Sequence, residues 1–260
     1  MKHFLKFTTI CFLFLLANTC LAQHAHFVKK GVIEFEKRSN LYAMIRKKIS
    51  SANAVYMQKT LEDYQKRNPQ FKTDKSSLTF YNDRTLYKFS ESQEPLSNDW
   101  INRNSLADLK NIVATDLNTQ FSVTQKNVFG ELYLVKDSVR KINWKITDET
   151  RTIAGFDCRR ANALIMDSIY VVAYYSNEIA VSGGPESFTG LPGMILGLAL
   201  PHENITWFAT KITEVAVPEK SLLPPVKGKS VNNKGLADTL QLAFKNWGKY
   251  AQETLKAYLF

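Results

Sequence analysis

The chain has 260 residues, with 34 lysines and arginines against 24 aspartates and glutamates, and a formal net charge of +10. The basic residues form short scattered clusters, Arg46-Lys47-Lys48, Arg140-Lys141 and Arg159-Arg160, separated by mixed sequence. This describes a solvated basic surface, with loose adhesion to anionic headgroups as the second reading, and argues against nucleic acid as a partner.

Lys2 and Lys6 precede an apolar run over residues 10–17, and a small-residue exit follows at Cys20-Leu21-Ala22. That layout predicts a secretory signal over residues 1–22, cut after Ala22, with an apolar core too short to span a bilayer. Lipid anchoring through Cys20 is not expected, because Ala17-Asn18-Thr19 lacks the small residue usual before a lipidated cysteine. The expected destination is the periplasm or another exported location. Cleavage removes Cys11 and Cys20 and leaves Cys158, so no internal disulfide is expected. A mature chain of about 240 residues is long enough to rely on its core instead.

Residues 31–37 alternate, with Ile33 and Phe35 on one side and Glu34 and Glu36 on the other, which predicts a half-buried strand. Leu41, Ile45, Ile49, Ala52 and Tyr56 then recur at helical spacing, and the segment predicts one amphipathic helix over 41–67. Ser39 or Asn40 caps its start, Lys66 and Arg67 suit its last turn, and Pro69 stops it. Strands are predicted over 78–81 and 85–89 about an Asn82-Asp83 turn, then a polar loop over 91–104. Further strands follow over 121–125, 128–135, 142–147 and 159–166, where Ile142, Trp144 and Ile146 alternate with polar neighbours. Asp137-Ser138 and Asp167-Ser168 read as hairpin turns, not as catalytic pairs.

A glycine- and proline-rich stretch over 180–201 leads into a buried strand over 194–200, with a partner over 206–213. Residues 216–235, rich in Pro, Gly and Lys, read as a surface linker. Over 236–260, Leu236, Leu240, Phe244, Trp247, Ala251, Leu255 and Tyr258 form the apolar stripe of one amphipathic helix. The stripe either packs on the sheet or lies on a membrane surface with Lys245, Lys249 and Lys256 toward headgroups, and packing is preferred.

Four ordered elements lie between residues 155 and 195: GFDCRRA from Gly155, YYSNEI from Tyr174, GPESF from Gly184, and Gly190-Leu191-Pro192-Gly193-Met194-Ile195. Together they resemble the GLPGLI family, with Met194 in place of Leu. The resemblance implies an exported envelope protein of a double-membraned bacterium, of unassigned function, and supplies no catalytic residues. The fold it implies is a single curved antiparallel sheet, similar to the half-barrels that carry lipoproteins or lipids. The fold expected is thus α+β, mainly antiparallel β, with one inserted N-terminal helix and one C-terminal helix. Its segments are the signal over 1–22, a β-rich GLPGLI-like domain over 23–215, the linker, and the helix.

The glycine cluster lacks the Gly-Lys-Ser/Thr of a nucleotide loop, and Ser187 is not flanked as in a nucleophile elbow. Gly190, Leu191, Pro192, Gly193, Met194 and Ile195 are therefore expected to make a rigid turn. In a second reading the turn carries exposed apolar side chains that contact an apolar ligand or partner. Gly155, Cys158, Gly184 and Pro185 are expected to be structural. Cys158 beside Arg159 and Arg160 has no nearby base in the sequence, and His24 and His26 do not match an amino-terminal copper motif. No metal, cofactor or catalytic set is predicted. The expected function is a non-catalytic binding or carrier protein for an apolar ligand or an envelope partner. The alternatives are an envelope hydrolase or thiol-dependent enzyme using Cys158, Glu178 or Glu186, and a structural partner of outer-membrane machinery.

Overall fold

The computed structural model describes residues 27–92 and 106–260. The predicted signal segment, His24, His26 and most of the predicted loop, residues 93–104, lie outside the described residues. Among the described residues no helix is long and apolar enough to cross a membrane.

Among the described residues the architecture is mainly antiparallel β, with four helices on one open twelve-stranded sheet. The strands are β1 (Lys30–Asn40), β2 (Phe71–Tyr81), β3 (Arg84–Ser92), β4 (Ile112–Asp116), β5 (Phe121–Val128), β6 (Glu131–Ser138), β7 (Lys145–Ile153), β8 (Phe156–Ile165), β9 (Ile169–Ser176), β10 (Met194–Leu200), β11 (Ile205–Thr213) and β12 (Lys229–Val231). Their spatial order is β12-β6-β5-β4-β3-β2-β1-β11-β10-β9-β8-β7. Every pairing is antiparallel except β12 with β6. The long strand β1 joins two meanders, pairing with β2 on one side and β11 on the other.

Alternation in β1 buries Ile33, Phe35, Lys37 and Ser39, and cross-strand partners carry this inner face onward. Phe35 stands opposite Ser76, and Lys37 opposite Asp74 on β2 and Trp207 on β11. The largest core cluster runs through Ile33, Phe35, Leu78, Phe80, Val171, Ala173, Leu198 and Trp207.

Several elements differ from the sequence reading. The predicted 41–67 helix is two, α1 (Leu41–Lys47) and α2 (Ala54–Arg67). The break has a local cause: Asn53 Oδ1 accepts from the Ser50 amide at 2.7 Å, and its Nδ2 donates to the Lys48 carbonyl at 3.1 Å. These bonds offer the backbone a turn in place of helix. The restart changes phase, so Tyr56 is 63% exposed, and Met57, Leu61 and Tyr64 are the buried residues. Asn40 is the cap of α1, accepting from Ala43 N at 3.1 Å.

Strand β4 carries no alternation strong enough to have been predicted. The predicted strand over 142–147 begins only at Lys145; Ile142 and Trp144 pack on the core from a connecting segment, and Trp144 Nε1 donates to the Thr189 carbonyl at 2.8 Å. Asp137-Ser138 is not a hairpin turn, because β6 and β7 stand near opposite ends of the strand order. Strand β7 pairs instead with β8, across the two-residue turn Ala154-Gly155.

The predicted linker contains the edge strand β12, and Leu222 within it packs with Leu86 and Ala114. The predicted C-terminal helix is also two, α3 (Asn233–Ala243) and α4 (Lys249–Leu259), broken where Gly248 takes φ +56°. Their apolar stripe packs on the sheet. Leu236, Leu240, Phe244, Leu255 and Tyr258 join Val128, Tyr133 and Val135 in a cluster of their own.

Replacing Asn40 by Ala removes the α1 cap and is expected to lower stability by about 1 kcal/mol. Urea unfolding should show a lower midpoint with an unchanged slope.

Candidate functional site

Residues 177–193, between β9 and β10, fold back onto the inner face. Backbone bonds from Met194 N to Ile179 O at 3.1 Å and from Ile195 N to Gly183 O at 2.8 Å hold the loop to the start of β10. Gly193 is required by close approach, since a Cβ there would lie 2.1 Å from the Ser176 carbonyl oxygen. Gly190 takes φ +94°, which a side-chain-bearing residue rarely adopts. Leu191, Met194 and Ile195 are buried in the core, whereas Gly190 and Pro192 are exposed. Of the motif's apolar side chains only Pro192 is exposed, because the pleat of β10 and the fold of the loop turn Leu191, Met194 and Ile195 inward.

What the loop delivers inward is Glu186. Its backbone is left-handed at φ +54°, and Gly184 and Pro185 before it are buried. Glu186 Oε2 accepts from Asn111 Nδ2 at 2.9 Å, and the carboxylate also faces the Tyr87 hydroxyl, Lys37 and Lys126. Lys37 Nζ donates to the Leu106 carbonyl at 2.7 Å and lies 5.3 Å from the Trp207 ring centroid. Lys126 Nζ donates to the Tyr258 carbonyl at 2.8 Å. Beside Lys37, Lys72 Nζ reaches Asp74 at 3.3 Å, the Ala107 carbonyl at 3.0 Å and Asp108 at 3.4 Å.

Burial dominates the electrostatics. It lowers Lys37 and Lys126 each to about 8, against the upward pull of Glu186. It raises the Glu186 carboxyl against the downward pull of Lys37, Asn111 and Lys126. Tyr87 is pushed well above its ordinary value by burial first and by the Glu186 charge second. Attraction within the cluster thus offsets only part of the desolvation of each member. Ser39 Oγ and Asp74 Oδ1 are buried on the same face without a hydrogen-bond partner among the described residues, and Ser76 and Trp207 sit beside the Tyr87 hydroxyl.

A cavity of about 40 Å³ opens beside the cluster, with Glu186, Lys126, Asn111, Thr124, Arg140 and Phe260 among its walls. Chemically it offers two cations, Lys126 and Arg140, two carboxylates, Asp137 and Glu186, and the amides of Asn111 and Asn233, with room for very little. Among the described residues no cluster of three or more His, Cys, Asp or Glu has the makings of a metal site.

The other sequence candidates lie elsewhere. Gly155 sits in the β7–β8 turn. Cys158 is buried in β8, and burial pushes its thiol up to about 12. Its Sγ lies 3.5 Å from the Phe156 carbonyl, while His202 contacts Tyr170 at the far end of the β8–β9 hairpin. Glu178 is exposed and accepts from the Asp157 amide at 3.2 Å. Of the named candidates only Glu186 reaches the cluster. Lys37, Tyr87, Asn111, Lys126 and Trp207 were not predicted. Lys37 had a signal, since it continues the inward parity of Ile33 and Phe35; Asn111 had none.

A family model described as a protein of unknown function (Porph_ging) matches residues 164–197, which take in β9, the loop and the start of β10. Comparison with curated proteins finds no match. Among solved structures, two crystal forms of PNGF-II, in space groups P21 and C2, are similar at 16% and 14% identity with TM-scores of 0.48 and 0.47. The similarity covers 85% and 84% of this chain, and the chain spans about a third of theirs (33%).

Two outcomes follow from the buried charges. Glu186→Gln leaves two buried lysines without their shared counter-charge, and a loss of about 3 kcal/mol is expected from urea midpoints at pH 7. The lysines also set a pH dependence. Their folded values near 8 lie below the unfolded 10.5, so between those values the unfolded chain binds more protons and stability rises with pH. From pH 7.5 to 9.5 the gain should be about 2 kcal/mol per lysine, and Lys126→Met should remove its share of the slope.

Proposed function

We propose that this chain is an exported envelope protein related to the GLPGLI family, acting in the periplasm as a non-catalytic binding or carrier protein. In this reading the sheet rolls into an open half-barrel that holds an apolar ligand or a partner segment. The observation that carries it is the reach of the chain between β6 and β7. These strands stand ten places apart in the sheet, about 48 Å if it were flat. The connection from Ser138 to Lys145 extends to about 25 Å at most. A contact near the β7 edge supports the curl, since the Arg151 guanidinium of β7 lies 4.8 Å from the Phe208 ring centroid of β11, four places away in the strand order. A rolled sheet has an inside, and the inside here is lined by apolar side chains around one polar cluster.

A hydrolase using Glu186 is the second reading, favoured by the convergence of Glu186, Lys126 and Asn111 on one cavity. Against it, Asn111 already bonds the carboxylate, both lysines are committed to backbone carbonyls, and a cavity of about 40 Å³ leaves no place for a scissile group. A thiol-dependent mechanism is disfavoured because a thiol held near 12 is protonated at neutral pH.

The test is native mass spectrometry of the protein released gently from the periplasm. A retained companion of lipid or peptide size is expected; bare monomer in every preparation would sink the carrier reading.

A further inference from the structure

Phe188, Trp207 and Phe260 fill the inner face beside the polar cluster. The Phe260 ring lies nearly parallel to Trp207, at 6.3 Å and 12°, and 5.4 Å from Phe188, and the cavity next to Glu186 is only about 40 Å³. Ligand-sized space lies where the inside opens, at the seam between β6 and β7. There the β6–β7 connection, the β8–β9 turn and the start of α3 border a groove of about 510 Å³, within the roughly 300–1,000 Å³ typical of small-molecule sites. Arg140, Asn233 and Leu259 wall the groove and the cavity alike, so the two adjoin.

The bordering elements differ in chemistry. The connection brings Arg140 and Lys141, α3 brings Lys234, and the end of β8 with its turn brings Leu164 and Met166; no Asp or Glu is among the walls. Leu164 is 60% exposed, although the outward positions before it on β8, Arg160 and Asn162, are polar. Met166 holds φ +49°, a left-handed backbone that Asn or Gly would adopt at less cost, and its unbranched thioether can repack around a bound chain. The cations are not equally free. Arg140 donates to the Leu259 carbonyl at 2.7 Å and to an oxygen of Phe260, the last residue, at 3.2 Å, and Lys234 shares Asp238 at 2.9 Å. Asp137, behind Asn233, is engaged by the Asn233 and Ser138 amides. Lys141 is exposed and has no ion pair among the described residues. One uncompensated positive charge matches a carboxylate better than a phosphate monoester, which carries nearly two negative charges.

We propose that this groove binds a fatty acid, with the carboxylate at Lys141 and Lys234 and the aliphatic chain along Leu164, Met166 and Ala237. This rests on the carrier reading and names its ligand class and the place where the ligand lies. No element of the fold has to move to admit it.

The side chains to be tested are exposed, so substitutions there should leave the fold intact. The probe is cis-parinarate, a fluorescent fatty acid, titrated into the full chain. Leu164→Glu is expected to weaken binding by about tenfold or more, because it sets a charge on the path of the chain. Lys141→Glu should weaken it about fivefold, by replacing an attraction at the head with a repulsion. Leu223→Glu, at a residue that is 66% exposed but lies outside the groove, should change nothing. Palmitate should displace the probe, and hexadecanol, which has the same chain length and no charge, should not. Equal displacement by the two would overturn the fatty-acid assignment. Binding that ignores both Leu164→Glu and Lys141→Glu would overturn the groove as the site and leave the carrier reading standing. No binding of the probe, with a companion of another class retained in native mass spectrometry, would overturn this proposal alone; the loss of both would take the carrier reading with it.

Discussion

Glu186 between Lys37 and Lys126 is the constraint on which the inner face depends. Each of the three groups is buried, and for each the desolvation exceeds what its neighbours return. Removing the acid would leave both lysines without their shared counter-charge, and removing a lysine would leave the acid with one cation fewer. The carboxylate reaches them only because the loop after β9 is pinned at both ends of its turn. Gly193 passes against the Ser176 carbonyl where a side chain has no room, and Glu186 accepts a left-handed backbone to turn inward. The glycine-rich motif is in this sense a device for inserting one acid into a basic interior.

The parts of this that were legible in the sequence are those written in a single local period. Strands β1, β10 and β11 announce themselves by alternation or by a continuous apolar run, and Asn40 by its place before a helical stripe. What was not legible depends on competition between local and distant partners. Asn53 breaks the first helix through bonds to Ser50 and Lys48, although the apolar spacing continues through it. Gly248 divides the last helix by another route, a left-handed φ of +56°. The hairpin expected at Asp137-Ser138 fails because the next strand joins β8 instead of β6, and nothing in the turn residues specifies a partner that far along the chain. Leu191, Met194 and Ile195 illustrate the limit for sites. Their types fit both a core anchor and a recognition surface, and only the pleat decides between them.

The two ends of the strand order are guarded differently. Strand β12 is three residues long. Strand β7 is longer, but its pairing with β8 is irregular between Ile146 and Thr150, and its exposed face carries Asp148 and Glu149 paired to Arg159 and Arg160 of β8. Short, bulged and charged edges resist pairing with another chain. This weighs against recruitment of a partner by strand addition and directs attention to the inside of the sheet.

A core built for stability alone would not bury Lys37. An apolar residue of similar length on β1 would avoid its desolvation, and such replacements of buried charges are commonly neutral or stabilising. What an apolar residue would not supply is a donor for the carbonyl of Leu106, just as Lys72 supplies one for Ala107. The turn that carries those two carbonyls, Leu106–Asp108, leads into Asn111, and Asn111 is the residue that fixes the Glu186 carboxylate. The lysines on β1 and β2 therefore tie down the segment that orients the acid, and the acid in turn makes their burial tolerable. That closed relation explains why the inward parity of β1 ends in a charge, and it places the polar cluster among the features that select one arrangement of this interior over others.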